Sequence, residues 1–434
     1  MRKRVGLLLV LFFLTASCVI VAKPAFSSAE VTEDSWASKA PVPSSVLGVA
    51  AANGKIYAFA SNITSEFNPI TNTWTVKTPS PSSIWGSALA VYQNKIYAIG
   101  QGNGRTQVYD PATDTWENKT SIPTPRTQLD ANVVNGKLYL IGGRTGGQYS
   151  TVGLNEVYDP ETDSWTTKAP IPYPVVQYAS AVVDNKIYII GGQDEFTYPM
   201  NLDLVQIYDP ATDTWSFGAP MPTVVWKAAA GATSGIWAPK RIYVIGGLPQ
   251  KSLFGTDLNQ VYNPENDSWT VGESMPTARF TLHVAVVNDK LYAIGGFPYW
   301  ALGGSVCPEN EEYTPLGYGT VPPVVSVVSP DNKTYNATSV DLVFAVNKPA
   351  LWMCYSLDGQ ETVTINGNTT LSGLSNGLHN ITVYARDEFE NTGASETISF
   401  SVDVPFPTIL VIVPIVSVAV VGVGVLVYFK RRKH

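Results

Sequence analysis

Histidine chemistry has little to work with in this chain. Its 434 residues include only His283, His379 and His434. A Ser-His-Asp triad would have to use His283, which stands in the small apolar run Leu282-His283-Val284-Ala285 and reads as a packed strand residue. The cysteines are Cys18, Cys307 and Cys354, with no CxxC pair and no Cys/His cluster at metal-ligand spacing. There is no DxDxDG calcium loop and no glycine-rich phosphate loop. The sequence thus predicts no catalytic residue, no metal and no cofactor. A net charge of −7 without a basic patch excludes nucleic acid as a partner.

Recognition chemistry is better supplied. Tyr198, Phe254, Tyr299 and Trp300 offer contact area at little rotamer cost. Arg126 and Arg279 offer two-pronged donors for carboxylates or sugar acids. These six are the candidate ligand-binding residues. Trp85, Tyr149, Tyr173, Gln177, Phe196, Trp226, Lys227, Lys251 and Phe297 stand in the same kind of segment. If the site did acid–base or sugar-carboxylate work, Asp194, Glu195, Asp257 and Arg279 would be its first candidates.

The elements that position these side chains are written as a repeat. Lys137-Leu138-Tyr139-Leu140-Ile141-Gly142-Gly143 reads as a strand ending in a glycine pair. A loop follows, then Glu156-Val157-Tyr158-Asp159-Pro160, a tight turn, and a strand led by Trp165. Aligned on the first Tyr, copies fall at Tyr57, Tyr97, Tyr139, Tyr188, Tyr243 and Tyr292. The Trp recurs at Trp74, Trp116, Trp165, Trp215 and Trp269, and none follows Tyr313. A spare Trp36 stands ahead of the first copy, so the N-terminal strand is expected to complete the last unit and close a ring. A period of roughly 40–50 residues built from short strands predicts a β-propeller of six blades.

The glycine pair with its spaced Tyr and Trp resembles the kelch repeat over residues 30–320. That resemblance implies an all-β, six-bladed propeller of four-stranded blades, most often a platform for proteins or sugars. Copper oxidases of the galactose oxidase kind are built on similar blades, but they need at least two ligand histidines, which this propeller lacks. Sialic-acid mutarotases share the six-bladed form, and no catalytic residue is carried over from them to this chain. Small residues in the first strands, such as Ala88, Ala90, Ala179 and Ala181, suit strands converging on an axis. Loops from strand two to three and from blade to blade share one face. They lengthen in the last four blades, at 144–153, 193–202, 248–257 and 297–310. The opposite turns are short and repetitive, so that face reads as structural.

The flanking segments suggest where the propeller is displayed. Residues 1–29 read as a signal peptide, with Arg2, Lys3 and Arg4 before the apolar stretch 5–20. Residues 405–429 read as one transmembrane helix and 430–434 as a basic cytoplasmic tail. Between propeller and membrane, residues 321–404 alternate as strands at Val340–Val346, Trp352–Leu357, Val363–Ile365, 380–386 and 397–402. Tyr355-Ser356-Leu357-Asp358-Gly359 and Gly377-Leu378-His379-Asn380-Ile381-Thr382-Val383-Tyr384-Ala385 resemble Ig-like β-sandwich modules of prokaryotic, especially archaeal, surface proteins. Sequons at Asn62, Asn118, Asn266, Asn332, Asn336, Asn368 and Asn380 are glycosylation candidates. Cys307 and Cys354 could bridge the two modules or both be free. The expected function is a cell-surface propeller binding an extracellular protein or glycan on its long-loop face. The alternatives are a mutarotase-like ectoenzyme and a structural envelope protein.

Overall fold

The structure, a computed structural model, describes residues 32–61, 63–100, 103–146, 150–195, 201–299 and 306–405. The signal and transmembrane segments lie outside the described residues. Among those described, every regular element is a strand, and no helix is long and apolar enough to cross a membrane.

Each repeat forms one four-stranded antiparallel sheet. In the third, Ala131–Val134 turns at Asn135-Gly136 into Lys137–Ile141, with φ of 49° and 76° at the two turn residues. Asn-Gly tolerates this left-handed pair, which matches the twist of a hairpin. Asn155–Asp159 and Ser164–Thr167 follow, and Tyr158 pairs with Trp165. The innermost strands Gly48–Ala52, Ser87–Tyr92, Ala131–Val134, Ala179–Val183, Ala229–Ala232 and His283–Val287 touch in sequence order, and the last returns to the first. Six blades therefore close into a ring, with a core of Ile, Val, Leu and Tyr between neighbouring blades.

Ring closure is written into one repeated latch. The Trp165 indole donates to the Thr120 carbonyl at the end of the preceding blade (3.0 Å). Asp163 accepts from the Thr120 amide (2.9 Å) and from the Tyr158 hydroxyl (2.6 Å). Trp116 with Asp114, Trp215 with Asp213 and Trp269 with Asp267 repeat the arrangement on Thr78, Ala169 and Ala219. Blade 6 has no such residues of its own. Ser35–Ser38 pairs with Asn310–Thr314 as its fourth strand, with Trp36 opposite Tyr313. There the Trp36 indole donates to the Glu273 carbonyl (2.8 Å), and Asp34 accepts from the Glu273 amide (2.7 Å) and the Tyr313 hydroxyl (2.6 Å).

Residues 325–402 form a three-stranded and a six-stranded sheet around a separate core that includes Leu342, Ile381, Val383 and Phe400. This module meets the propeller on the face expected to be purely structural. The turn between the first two strands of blade 5 is not short: residues 233–241 form a loop whose amides at Ser234, Ile236, Trp237 and Ala238 all donate to the Asp289 carboxylate. That cap holds Trp237 outward. Its carbonyl accepts from the Gly319 amide (2.7 Å), and its ring meets Phe389 at 6.3 Å and the Lys348 ammonium at 5.2 Å. Lys348 is buried and paired with Asp387 at 2.7 Å. Cys307 and Cys354 are buried free thiols.

Candidate functional site

The blade-to-blade loops and the loops between strands two and three meet on one face and extend the blades past the glycine pairs. Thr127 bridges Arg144, which bridges Thr151. Val176 bridges Gln193, and Gln193 bridges Asn201. Val225–Trp226 pairs with Leu248–Pro249, and Phe280 bridges Phe297. The glycines permit this crossing: Gly142 and Gly246 hold φ of 66° and 65°, and a Cβ there would stand 2.7 Å and 2.5 Å from the Val175 and Arg279 carbonyl oxygens.

The six candidate residues separate into three groups. Phe254 and Tyr299 come together as a bridged pair from blades 5 and 6, 66% and 39% exposed, with Leu253 exposed beside them in sequence. Tyr198 and Trp300 lie outside the described residues. Arg126 and Arg279 are buried beneath the face and are not available to a ligand. Arg126 donates to the Gly142 and Leu140 carbonyls (2.8 and 2.7 Å), to the Thr124 carbonyl (3.1 Å) and to the Glu156 carboxylate. Arg279 donates to the Ala293 carbonyl (2.9 Å) and pairs with Glu311 at 2.7 Å.

The repeat itself carries the signal that identifies these arginines as packing residues. At the equivalent loop position blades 4 and 5 have Val175 and Val225, and where Glu156 and Glu311 stand they have Gln206 and Gln260. Each Gln accepts from and donates to one loop backbone, at Tyr173 (2.9 and 3.0 Å) and at Thr223 (2.8 and 3.0 Å). Arg with Glu and Val with Gln are two solutions to one need, tying the loop to the third strand.

The centre of the face was less visible in the sequence. Gln128, Gln177, Lys227 and Thr281, from four consecutive blades, all have left-handed backbones, with φ of 61°, 54°, 55° and 50°. The Gln177 amide donates to the Gln128 carbonyl (3.0 Å), Lys227 to Gln177 (3.0 Å) and Thr281 to Lys227 (2.8 Å). This chain of bonds runs from blade to blade at the entrance to the innermost strands. Non-glycine residues in this region cost on the order of 1 kcal/mol each and persist where surrounding structure enforces them. The Lys227 ammonium lies 4.6 Å from the Trp226 ring centre and 5.8 Å from that of Phe280. Burial, with the repulsion of Arg144, brings its amine down to about 8. Arg144 pairs with Glu195, which also accepts from the Thr151 hydroxyl (2.8 Å). Among the other acid–base candidates, Asp194 is buried and Asp257 half-buried.

Two desolvated groups flank the innermost strands below this entrance. Burial raises the Asp130 carboxyl to about 6, against hydrogen bonds from Ser180. Burial lowers His283, at the same position in the opposite blade of the ring, to about 4. Among the described residues no cluster of His, Cys, Asp and Glu could hold a metal ion.

Comparison with known proteins agrees with this architecture. Residues 88–296 match the model of the KLHDC2/KLHL20/DRC7 Kelch-repeats domain. Human Kelch-like protein 23 is 33% identical over 81 residues, covering 19% of this chain and 14% of that protein. Halomucin of Haloquadratum walsbyi is 38% identical over 91 residues, 19% of this chain and 1% of its own length. The chain thus spans only a small part of these curated relatives. Among solved structures, that of YjhT aligns with a TM-score of 0.52 at 18% identity, over 62% of this chain and 95% of its own. A fungal alcohol oxidase of the AA5 family, in complex with copper, gives 0.53 at 13%, over 85% and 99%. At such identities the likeness shows the fold alone. The chain carries a kelch-repeat domain in a β-propeller.

Proposed function

We propose that this protein is a membrane-anchored surface receptor in which a six-bladed kelch propeller, displayed on an Ig-like module, binds an extracellular protein or glycan on its long-loop face. The observation that carries the reading is the exposed Phe254–Tyr299 pair, two aromatics from different blades joined on the face where the loops differ. Exposed aromatics held by rigid elements are what binding anchors are made of. The opposite face seats the C-terminal module through Trp237, which leaves the long loops facing away from it. Surface display rests on the apolar stretches 5–20 and 408–429 with the basic tail. Six sequon asparagines, Asn118, Asn266, Asn332, Asn336, Asn368 and Asn380, are exposed and fit an extracellular setting.

The test is a glycan array and a secreted-protein panel probed with the full-length protein, followed by Phe254→Ala and Tyr299→Ala. Loss of such an anchor costs about 2 kcal/mol, roughly thirtyfold in affinity. Substitutions in the opposite turns, such as Glu161→Ala, are expected to leave binding unchanged. Equal loss from both faces would remove the assignment. Protease applied to intact cells should release the propeller and spare a tag after His434; protection of the propeller would reverse the topology. A second reading, a sugar-processing ectoenzyme, is favoured by Asp130 with its raised carboxyl. It requires the protein to speed anomer exchange of a reducing sugar in NMR and Asp130→Asn to stop it.

A further inference from the structure

We propose that His379 is a pH-sensitive clasp in the C-terminal module. Its doubly protonated ring holds Ser375-Asn376, and through them the exit of the chain at Val404, and lets go when one ring proton leaves. The reason is a proton count. His379 Nδ1 lies 2.7 Å from the Asp358 carboxylate, and Nε2 lies 2.8 Å from the Ser375 carbonyl. An ionised carboxylate and a carbonyl can only accept, so both ring nitrogens must donate. Only the imidazolium carries two N–H groups; a neutral ring keeps one and forfeits a bond. The ring is buried, its centre 5.5 Å from that of Phe400. A bond lost there leaves a buried polar atom unpaired until water enters.

Three elements face the ring. The turn after Trp352–Leu357 brings Asp358, the following loop brings the Ser375 carbonyl, and Ile398–Val402 brings Phe400. Among the described residues Asp358 is the one charged group paired with His379. Asp358 is itself fixed, since its other oxygen accepts from the Asn380 amide (2.8 Å) and its own amide donates to the Asn380 carbonyl (2.8 Å). Burial opposes the ring charge, but the bonds to Ser375 and Asp358 outweigh it and hold the ring above the ordinary histidine value. A raised folded value gives stability that is fully present below the unfolded value near 6.5 and lost as the pH rises through the folded one. The clasp is therefore closed in acid and opens on the alkaline side. What it holds is the way out of the module. The Asn376 side chain brackets Val404, donating to its carbonyl and accepting from its amide, both at 2.9 Å. From Val404 the chain continues to the apolar stretch 408–429. The switch acts on that connection and is independent of what the long-loop face binds.

Hydrogen exchange of the full-length protein in detergent micelles tests this between pH 5.5 and 9, each rate divided by the intrinsic rate at its pH. The Val404 amide should be protected at the acid end and lose roughly three- to tenfold of that protection by pH 9, the worth of one hydrogen bond. Ile381 and Val383, in the core of the same module, should stay protected throughout. His379→Gln has no proton to lose, so its Val404 profile should be flat with pH and as unprotected as the natural protein at pH 9. Asp358→Asn keeps an acceptor oxygen without the charge and should move the opening to lower pH, which a merely packed histidine would not do. Constant Val404 protection in the natural protein overturns the proposal. So does a pH-dependent loss that persists in His379→Gln with Ile381 and Val383 protected. If His379→Gln also exposes Ile381 and Val383, the module has unfolded and Asp358→Asn decides: an opening that shifts to lower pH upholds the clasp, and one that stays in place refutes it.

Discussion

Arg126 shows how residue type alone misleads and how the repeat corrects it. An arginine in a loop of a recognition module invites a ligand, yet its guanidinium is buried with Glu156 and the Leu140, Gly142 and Thr124 carbonyls. Removing one member of a buried pair strands the other charge and costs about 3–5 kcal/mol. Arg126→Val or Glu156→Gln alone should therefore lower stability by that order in denaturant unfolding. The double variant Arg126→Val/Glu156→Gln copies blade 4, where Val175 sits beside Gln206 and its two backbone bonds. It should recover most of the loss, and the double-mutant cycle should give a coupling of about 2 kcal/mol or more. Additive losses would show that the pairing seen between blades is not an exchange of equivalent solutions. The covariation was legible in six aligned copies. What no alignment of types reveals is that Lys227, placed by sequence only among the loop residues of that face, stands between aromatics at the ring entrance, because that follows from its left-handed backbone and its bonds to neighbouring blades.

At the scale of the element, the latch explains why the strand order was readable. Tyr, Asp and Trp recur because each blade uses them to grip the last strand of the blade before it. Blade 1 varies the theme consistently: Phe67 has no hydroxyl, and Asn72 replaces the Asp while still accepting from the Ala40 amide (2.8 Å). The spare Trp36 could be placed for the same reason, since a latch without a blade and a blade without a latch fit together. Trp36→Ala should cost about 2–4 kcal/mol, as large core truncations do. Amide hydrogen exchange should rise in Asn310–Thr314 while Asn155–Asp159 stays protected; a uniform rise would mean that the ring does not depend on this closure. The latch also sets a pH limit. Hydroxyl bonds from Tyr158 and Tyr208 lead the interactions that hold Asp163 and Asp213 below the ordinary carboxylate range. A depressed folded value stabilises fully above the unfolded value near 4 and is lost as the pH falls through the folded one. The melting temperature should drop below about pH 4, less steeply in Asp163→Asn.

At the scale of the whole molecule, the C-terminal module is fixed by one irregular loop. The repeat made every turn on that face look interchangeable, and the departure lay in the longer run Ser234-Gly235-Ile236-Trp237-Ala238-Pro239 of blade 5. Its meaning needed the partner surface: Asp289 caps the loop amides, and Trp237 then meets Gly319, Phe389 and Lys348. The close fit requires a left-handed glycine at Gly319 (φ 80°), where a Cβ would stand 2.8 Å from the Phe389 ring. If Trp237 sets the seam, Trp237→Ala removes an aromatic pair and a cation–π contact worth together about 1–3 kcal/mol. The cores of propeller and module are separate clusters and should survive the change. The expected result is faster proteolytic cleavage within residues 316–324, unchanged melting of each half, and unchanged binding on the long-loop face. Melting of the propeller itself would show Trp237 to be part of blade 5 instead of the joint. Cleavage no faster than in the natural protein would place the joint in the buried Lys348–Asp387 pair, which Lys348→Met would then disrupt.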